Sequence, residues 1–269
     1  VEQTQDGYQR VAGEHGAEVL RSPLLARMPW LQHGFPTRLG GVSEGGFASL
    51  NFGLKGGDDP ARVRVNLERL GRTLGFDPHR TFRVSQVHGR RVVVLDPRQT
   101  PPQVAGEQAD ALVSDQPGAT VGVQTADCVP VLLADPRRRV VAAAHAGWRG
   151  IVAGVLQATV QQMTARFGCA PADLAAALGP AIGPAAYEVG PEVAEKFEAL
   201  PGAVLADLGP RPHLDLFAAA TLCLRRAGLA PGRITRPGVC THSEPGRFFS
   251  YRRDGQATGH HLSVIGLVR

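Results

Sequence analysis

Apolar residues recur at helical spacing in some stretches of the chain and crowd into short unbroken runs in others, and the two patterns predict different elements. Val63, Leu67, Leu70 and Leu74 follow the pair Asp59-Pro60 and stop at Gly75. An N-cap, a first-turn proline and a terminal glycine therefore predict a helix over that span. Ile151, Val152, Val155, Leu156, Val160, Met163 and Phe167 share one face of a second helix from Ile151 to Phe167. Further helices are expected from Pro191 to about Leu200 and from Leu216 to Ala227. The apolar and β-branched runs Phe82 to Val87, Arg91 to Leu95, Thr120 to Thr125, Val129 to Ala134 and Val140 to His145 predict strands, with Asp135-Pro136-Arg137 as a turn. Cys240 to Thr241 and Phe248 to Arg253 have strand and loop character, and Leu262 to Val268 is apolar again. Strands mixed with helices in irregular order predict an α/β (α+β) fold of packed layers with a mixed sheet.

Residues 1–22 show no period and are expected to form a loosely ordered lead-in, and the remainder is long enough for one domain or two tightly packed halves. From His33 to Gly57 the chain is dense in glycine, including Gly34, Gly40-Gly41 and Gly53, which predicts a loop layer around a site. At 269 residues, 43% hydrophobic and 20% charged, the chain can bury a large core and is not expected to be disordered. No apolar run approaches the ~20 residues of a membrane span, and no signal peptide pattern opens the chain. A cytoplasmic protein without a membrane partner, most simply a monomer, is expected. The net charge of +5 comes from scattered residues with no basic block, so no nucleic-acid partner is expected. All but two of the 29 basic residues are arginine, lysine occurring only at 55 and 196, a bias that coding composition accounts for. Cys128, Cys169, Cys223 and Cys240 contain no CxxC pair, which argues against a disulfide framework or a zinc ribbon.

Candidate chemistry concentrates in three short phrases. His88 lies in Ser85-Gln86-Val87-His88-Gly89, Cys128 in Thr125-Ala126-Asp127-Cys128-Val129-Pro130, and His145 in Ala144-His145-Ala146-Gly147-Trp148-Arg149-Gly150. Each falls where an expected strand gives way to a turn. Two imidazoles and a thiolate make a three-ligand zinc set that leaves a fourth position for water or substrate. The wide spacing between them fits no compact zinc finger.

Those phrases, with Thr37-Arg38-Leu39-Gly40-Gly41-Val42-Ser43, Ser49-Leu50-Asn51, Gly57-Asp58-Asp59-Pro60, Gly179-Pro180-Ala181-Ile182-Gly183-Pro184, Tyr187-Glu188-Val189-Gly190 and Phe248-Phe249-Ser250-Tyr251-Arg252-Arg253-Asp254-Gly255, resemble the YfiH-type family from about residue 33 to the C-terminus. That family is variously labelled polyphenol oxidoreductase (laccase-like), purine nucleoside phosphorylase and peptidoglycan editing factor. The resemblance implies one layered α/β catalytic domain over 23–269, related to a group described as cysteine hydrolases, with catalytic zinc on His88, Cys128 and His145. It also implies purine nucleosides and phosphate as substrates: phosphorolysis of adenosine, inosine, guanosine or methylthioadenosine, and deamination of adenosine. Two departures stand out: Thr258-Gly259-His260 where many relatives have Thr-Gly-Arg, and Ala185-Ala186 where many have a cysteine.

Deamination at purine C6 suits zinc, which brings the pKa of water toward ~7; phosphorolysis needs an anion pocket. Arg149 and Arg38 are the expected anion-binding residues, Asn51 is expected to bind ribose or base edges, and Asp127 to orient a histidine ligand. Other readings remain: copper with phenol oxidation, opposed by the lack of further copper sites; Cys128 as nucleophile with His145 or His88 as base, acting on a peptidoglycan precursor; and a zinc-stabilised binding protein.

Overall fold

The strand Val140–Ala146 shows how the layers arise. Val140, Ala142, Ala144 and Ala146 pack in one core with helical residues, and Val141 and Ala143 pack in another with a second sheet, as the two-residue period of a strand requires. The computed structural model describes residues 2–3 and 7–268. In chain order the strands are β1 (Glu2–Gln3), β2 (Gln9–Ala12), β3 (Glu18–Arg21), β4 (Leu31–Pro36), β5 (Thr81–Phe82), β6 (Val92–Val94), β7 (Ala111–Ser114) and β8 (Thr120–Thr125). They continue as β9 (Val129–Asp135), β10 (Val140–Ala146), β11 (Ala175–Leu178), β12 (Val204–Leu205), β13 (His213–Leu214), β14 (Ile234–Thr235) and β15 (His261–Leu267). The α-helices are α1 (Pro60–Leu74), α2 (Pro101–Ala105), α3 (Trp148–Ala153), α4 (Val155–Phe167), α5 (Pro191–Ala194), α6 (Leu216–Arg226) and α7 (Tyr251–Asp254).

One sheet runs β1-β2-β3-β4-β15-β8-β5 and the other β14-β11-β9-β10-β7-β6. Most pairs are antiparallel, whereas β5–β8, β6–β7 and β11–β14 are parallel. Val121 and Val123 of β8 and Ile265 and Leu267 of β15 meet Leu132, Val141 and Ala143 across the interface between the sheets. The opposite face of β15 presents Leu262 and Val264 to Leu70 of α1, while α3, α4 and α6 cover the outer face of the second sheet. The fold is thus mixed α/β, in four layers. Each fully buried leucine among these contributes about 1.5–3 kcal/mol.

Helix α1 matches its expected span, with the Asp59 carboxylate accepting from the Ala61 N–H and Gly75 closing it at φ 79. The helix expected over Ile151 to Phe167 is instead two: α3 begins earlier, and Gly154, in the left-handed region at φ 88, separates it from α4. Residues 1–22 need a correction. Val1 and residues 4–6 lie outside the described residues, but β2 and β3 pair with each other and β3 pairs with β4. Tyr8, Val19 and Leu20 are fully buried there, and the Tyr8 hydroxyl donates to Leu178 O. The lead-in is therefore held by sheet pairing and burial that no short-range period could reveal. Likewise 33–36, expected as loop, belong to β4, whereas the long strands expected around His88 shrink to β5 and β6.

Candidate metal centre

The turn between β8 and β9 carries the chain from one sheet to the other, and Cys128 sits on it. His145 ends the inter-sheet face of β10, since it shares the pleat of Val141 and Ala143. His88 lies in the irregular segment between β5 and β6, in the left-handed region at φ 60, a conformation that costs a non-glycine residue energy and persists only when its surroundings enforce it.

Asp110, fully buried just before β7, provides that enforcement. Its carboxylate accepts three successive backbone N–H groups, from Val87 at 3.3 Å, His88 at 2.9 Å and Gly89 at 2.6 Å. The same carboxylate lies 2.9 Å from His145 Nδ1, and Asp110 O accepts the His145 backbone N–H at 2.7 Å. A proton on His145 Nδ1 leaves Nε2 with a free lone pair, the tautomer a metal ligand needs. One buried carboxylate thus sets both the His88 turn and the His145 ring.

Donor atoms of His88, Cys128 and His145 lie within 4.8 Å of one another, and no fourth histidine, cysteine or carboxylate among the described residues joins them. Cys128 Sγ is 3.9 Å from His88 Nε2; tetrahedral zinc holds sulfur and nitrogen about 3.6 Å apart. The two imidazoles meet edge-on with centroids 4.7 Å apart. His145 is buried, Cys128 partly so and His88 exposed, so the group opens to solvent on the His88 side. Donor types, spacing and tautomer all fit a metal ion. Gly147 permits the close approach: a Cβ there would stand 2.7 Å from Cys128 Sγ and 3.1 Å from His88 Cδ2.

Electrostatics bind the trio together. Burial opposes the Cys128 thiolate, but the charge of His145 and hydrogen bonds from His145 and His88 outweigh it and lower its pKa. Burial also opposes the His145 cation, yet the Cys128 charge and the Asp110 hydrogen bond raise its pKa. Asp110 follows the same logic: burial works against its charge, and the bonds from His145 and Gly89 hold it below the ordinary carboxylate value.

The remaining expected residues divide. Asp127, at φ 93, accepts from the Thr241 hydroxyl at 2.6 Å, the Ser250 hydroxyl at 3.0 Å and the Arg252 N–H at 2.7 Å. It anchors the Cys128 turn to the C-terminal segment, and the histidine-orienting carboxylate is Asp110 instead. Asn51 also departs from its expected part. Fully buried, it donates to Gly53 O and Asp58 Oδ2 and accepts from the Gly53 and His260 N–H groups, which uses both amide hydrogens and both lone pairs. None is left for ribose or a base. Arg38 donates to Ala48 O and Pro245 O and stacks on Phe249, 4.5 Å from the ring centre, so it works as a loop tie. Arg149 stacks on Trp148 at 4.4 Å and makes no hydrogen bond or ion pair with the described residues. Tyr187, under Arg252 at 4.9 Å, was not anticipated; burial and then the Cys128 charge push its phenol up to about 12, which keeps it protonated. Asp110 was missed because nothing beside it in sequence marks it, although a ligand histidine demands such a partner.

The fold and site define a layered α/β protein with a His-Cys-His cluster able to hold a metal ion. A family model described as multi-copper polyphenol oxidoreductase laccase matches residues 32–268, and the chain belongs to that family, the YfiH family. It is 43% identical over 255 residues to a purine nucleoside phosphorylase of Deinococcus radiodurans, covering 94% of each chain. Identity to the purine nucleoside phosphorylase YfiH of Escherichia coli is 42% over 235 residues, 86% of this chain and 92% of that one. Among solved structures, YlmD of Geobacillus stearothermophilus superposes with a TM-score of 0.87 at 34% identity, over 97% of this chain and 98% of that one. YfiH of Bacillus licheniformis does so with a TM-score of 0.86 at 33% identity, over 93% and 96%. No helix among the described residues is long and apolar enough to cross a membrane.

Proposed function

We propose that the chain is a zinc-dependent enzyme of purine nucleosides that carries out phosphorolysis of adenosine, inosine, guanosine or methylthioadenosine and deaminates adenosine to inosine. The observation that carries the reading is the three-donor cluster of His88, Cys128 and His145 with no fourth protein ligand among the described residues, which is the donor count of a catalytic rather than a structural zinc. Relatives named purine nucleoside phosphorylase support the substrate class. When bound there, zinc supplies Lewis-acid polarisation. Asp110 keeps the proton on His145 Nδ1 and holds the His88 turn. Arg149, with its guanidinium unpaired among the described residues, is the candidate for binding the phosphate anion, and the phenol of Tyr187 stays neutral beside it.

A second reading draws on the Cys128–His145 pair, whose opposite pKa shifts also describe a thiolate nucleophile with its imidazolium, as in a cysteine hydrolase. Copper-dependent phenol oxidation, which the family description names, requires further copper sites for the four-electron reduction of oxygen, and the described residues offer one three-donor cluster. Metal analysis of the purified protein, coupled to chromatography of adenosine incubated with and without phosphate, separates these. Zinc near one equivalent, adenine formed only with phosphate, and inosine formed in either case are the expected results. Metal-free Cys128→Ala protein that keeps full activity would overturn the site.

A further inference from the structure

Asp110 fixes the two imidazoles of the cluster but makes no hydrogen bond to the turn that carries Cys128. The β8–β15 ladder ends at Thr125 and the β9–β10 ladder starts at Val129, so Ala126, Asp127 and Cys128 lie outside both. Asp127 also holds φ at 93, a region that costs a non-glycine residue energy and persists only where its surroundings enforce it. A thiolate carried on such a turn keeps its place only if something beyond the two strands holds the turn.

Four hydrogen bonds to residues far along the chain do so. Asp127 O accepts the Ile182 N–H at 3.0 Å. The buried carboxylate accepts the Thr241 hydroxyl at Oδ1, 2.6 Å away, and at Oδ2 the Ser250 hydroxyl at 3.0 Å and the Arg252 N–H at 2.7 Å. Thr241 and Ser250 are themselves fully buried, so water does not compete for their bonds. No cation pairs with the carboxylate among the described residues, because the Arg252 guanidinium donates to Glu188 O and lies over the Tyr187 ring. Bonds from neutral donors to a carboxylate are roughly twice as strong as those between neutral groups. The Ile182 and Thr241 contacts also reinforce each other, since the Thr241 N–H donates to Ala181 O at 3.0 Å and Ala181 is bridged to Cys240.

We infer that Asp127 is the positioning residue of the thiolate ligand: through its carboxylate the segment 241–252 holds the Cys128 turn, as Asp110 holds the two imidazoles. The inference rests on the metal reading of the cluster. Asp127 acts through the backbone from which Cys128 Sγ comes within 3.9 Å of His88 Nε2, not on the ion. Two buried carboxylates, one for the nitrogen donors and one for the sulfur, then define the three-donor set, and the sulfur's share of metal affinity depends on a segment more than a hundred residues away in the chain.

The test is titration of the metal-free protein with Co(II), whose sulfur-to-cobalt charge-transfer band reports thiolate coordination, followed by competition for zinc against a chromophoric chelator. Thr241→Val removes the bond to Oδ1 with little change of shape. It should weaken cobalt and zinc binding about tenfold, the lower end of what losing a partner behind a metal ligand costs, and lower the charge-transfer intensity per bound cobalt. Thr241→Ser, which keeps the hydroxyl, should restore both. Thr159→Val removes another fully buried threonine hydroxyl, one that donates to Val155 O at 2.8 Å within α4, and should leave metal binding unchanged. If Thr241→Val fails to fold, Ser250→Ala carries the test, with the same direction expected. Wild-type affinity and an undiminished band in the folded variants would overturn the positioning role, as would an equal loss in Thr159→Val. Wild-type protein that binds no cobalt through sulfur would overturn the metal reading itself, and the inference with it.

Discussion

Asp110→Asn should disable the metal cluster without unfolding the protein. The carboxylate accepts from His145 Nδ1 and the His88 N–H at Oδ1, and from the Gly89 and Val87 N–H groups at Oδ2. An asparagine retains one acceptor oxygen, and its amide nitrogen must face one of these donor pairs. Placed toward Oδ2, it meets two backbone N–H groups and releases the His88 turn. Placed toward Oδ1, it can accommodate His145 only if Nδ1 becomes the acceptor, which moves the ring proton to Nε2 and removes the metal lone pair. Either orientation forfeits charge-assisted bonds worth about 1.5–3 kcal/mol each and the charge that raises the basicity of His145. A loss of roughly 10–100-fold in metal affinity follows. Competition for zinc against a chromophoric chelator at neutral pH measures it, with a thermal melt confirming that the variant is folded. Folded Asp110→Asn protein with wild-type zinc affinity would refute the argument, because neither amide orientation preserves both histidines.

Gly147→Ala places a methyl 2.7 Å from Cys128 Sγ, and Gly147 has φ −75, which alanine tolerates; zinc stoichiometry by mass spectrometry should drop while the melting temperature changes by only the ~1–3 kcal/mol equivalent of overpacking. His33 and His261 are buried, each accepting a backbone N–H at Nε2, from Ser22 and Phe249. Burial brings both down to about 3. Because the folded pKa lies below the unfolded value of 6.5, the unfolded chain gains protons first as pH falls. Stability should be full above that value and decline toward 3, by about 2 kcal/mol per histidine at about pH 5. Urea unfolding across this range tests it, and a flat profile would contradict the neutral assignment. Asn51→Ala should lower stability by about 2–3 kcal/mol through unsatisfied partners, with the nucleoside KM little changed wherever the protein is folded; a selective KM rise would restore Asn51 as a substrate contact.

Much was legible in the chain alone where the controlling forces are local. Helix α1 announces its ends because Asp59 and Gly75 satisfy backbone groups within a turn of themselves and Pro60 sets the first-turn φ and removes an orphan donor. Strands β8, β9 and β10 announce themselves through runs of buried β-branched and small residues. The His88, Cys128 and His145 donors stand out as ligand chemistry at strand ends, in phrases that mark the family. The segment 9–21 was illegible because its order comes from pairing with β4 and from the burial of Tyr8 against Leu178, partners remote in sequence.

The amino-acid sequence by itself determined the element types, the mixed α/β class and three candidate donors, since periodicity, capping and ligand chemistry act over a few residues. Only the tertiary structure decided which polar residues serve the cluster. It put Asp110 under both histidines, used up every hydrogen-bonding group of the Asn51 amide, tied Arg38 to backbone carbonyls and turned Asp127 toward Thr241 and Ser250. Hydrogen-bond partnership and charge compensation depend on groups brought together from distant strands, and no local pattern records them.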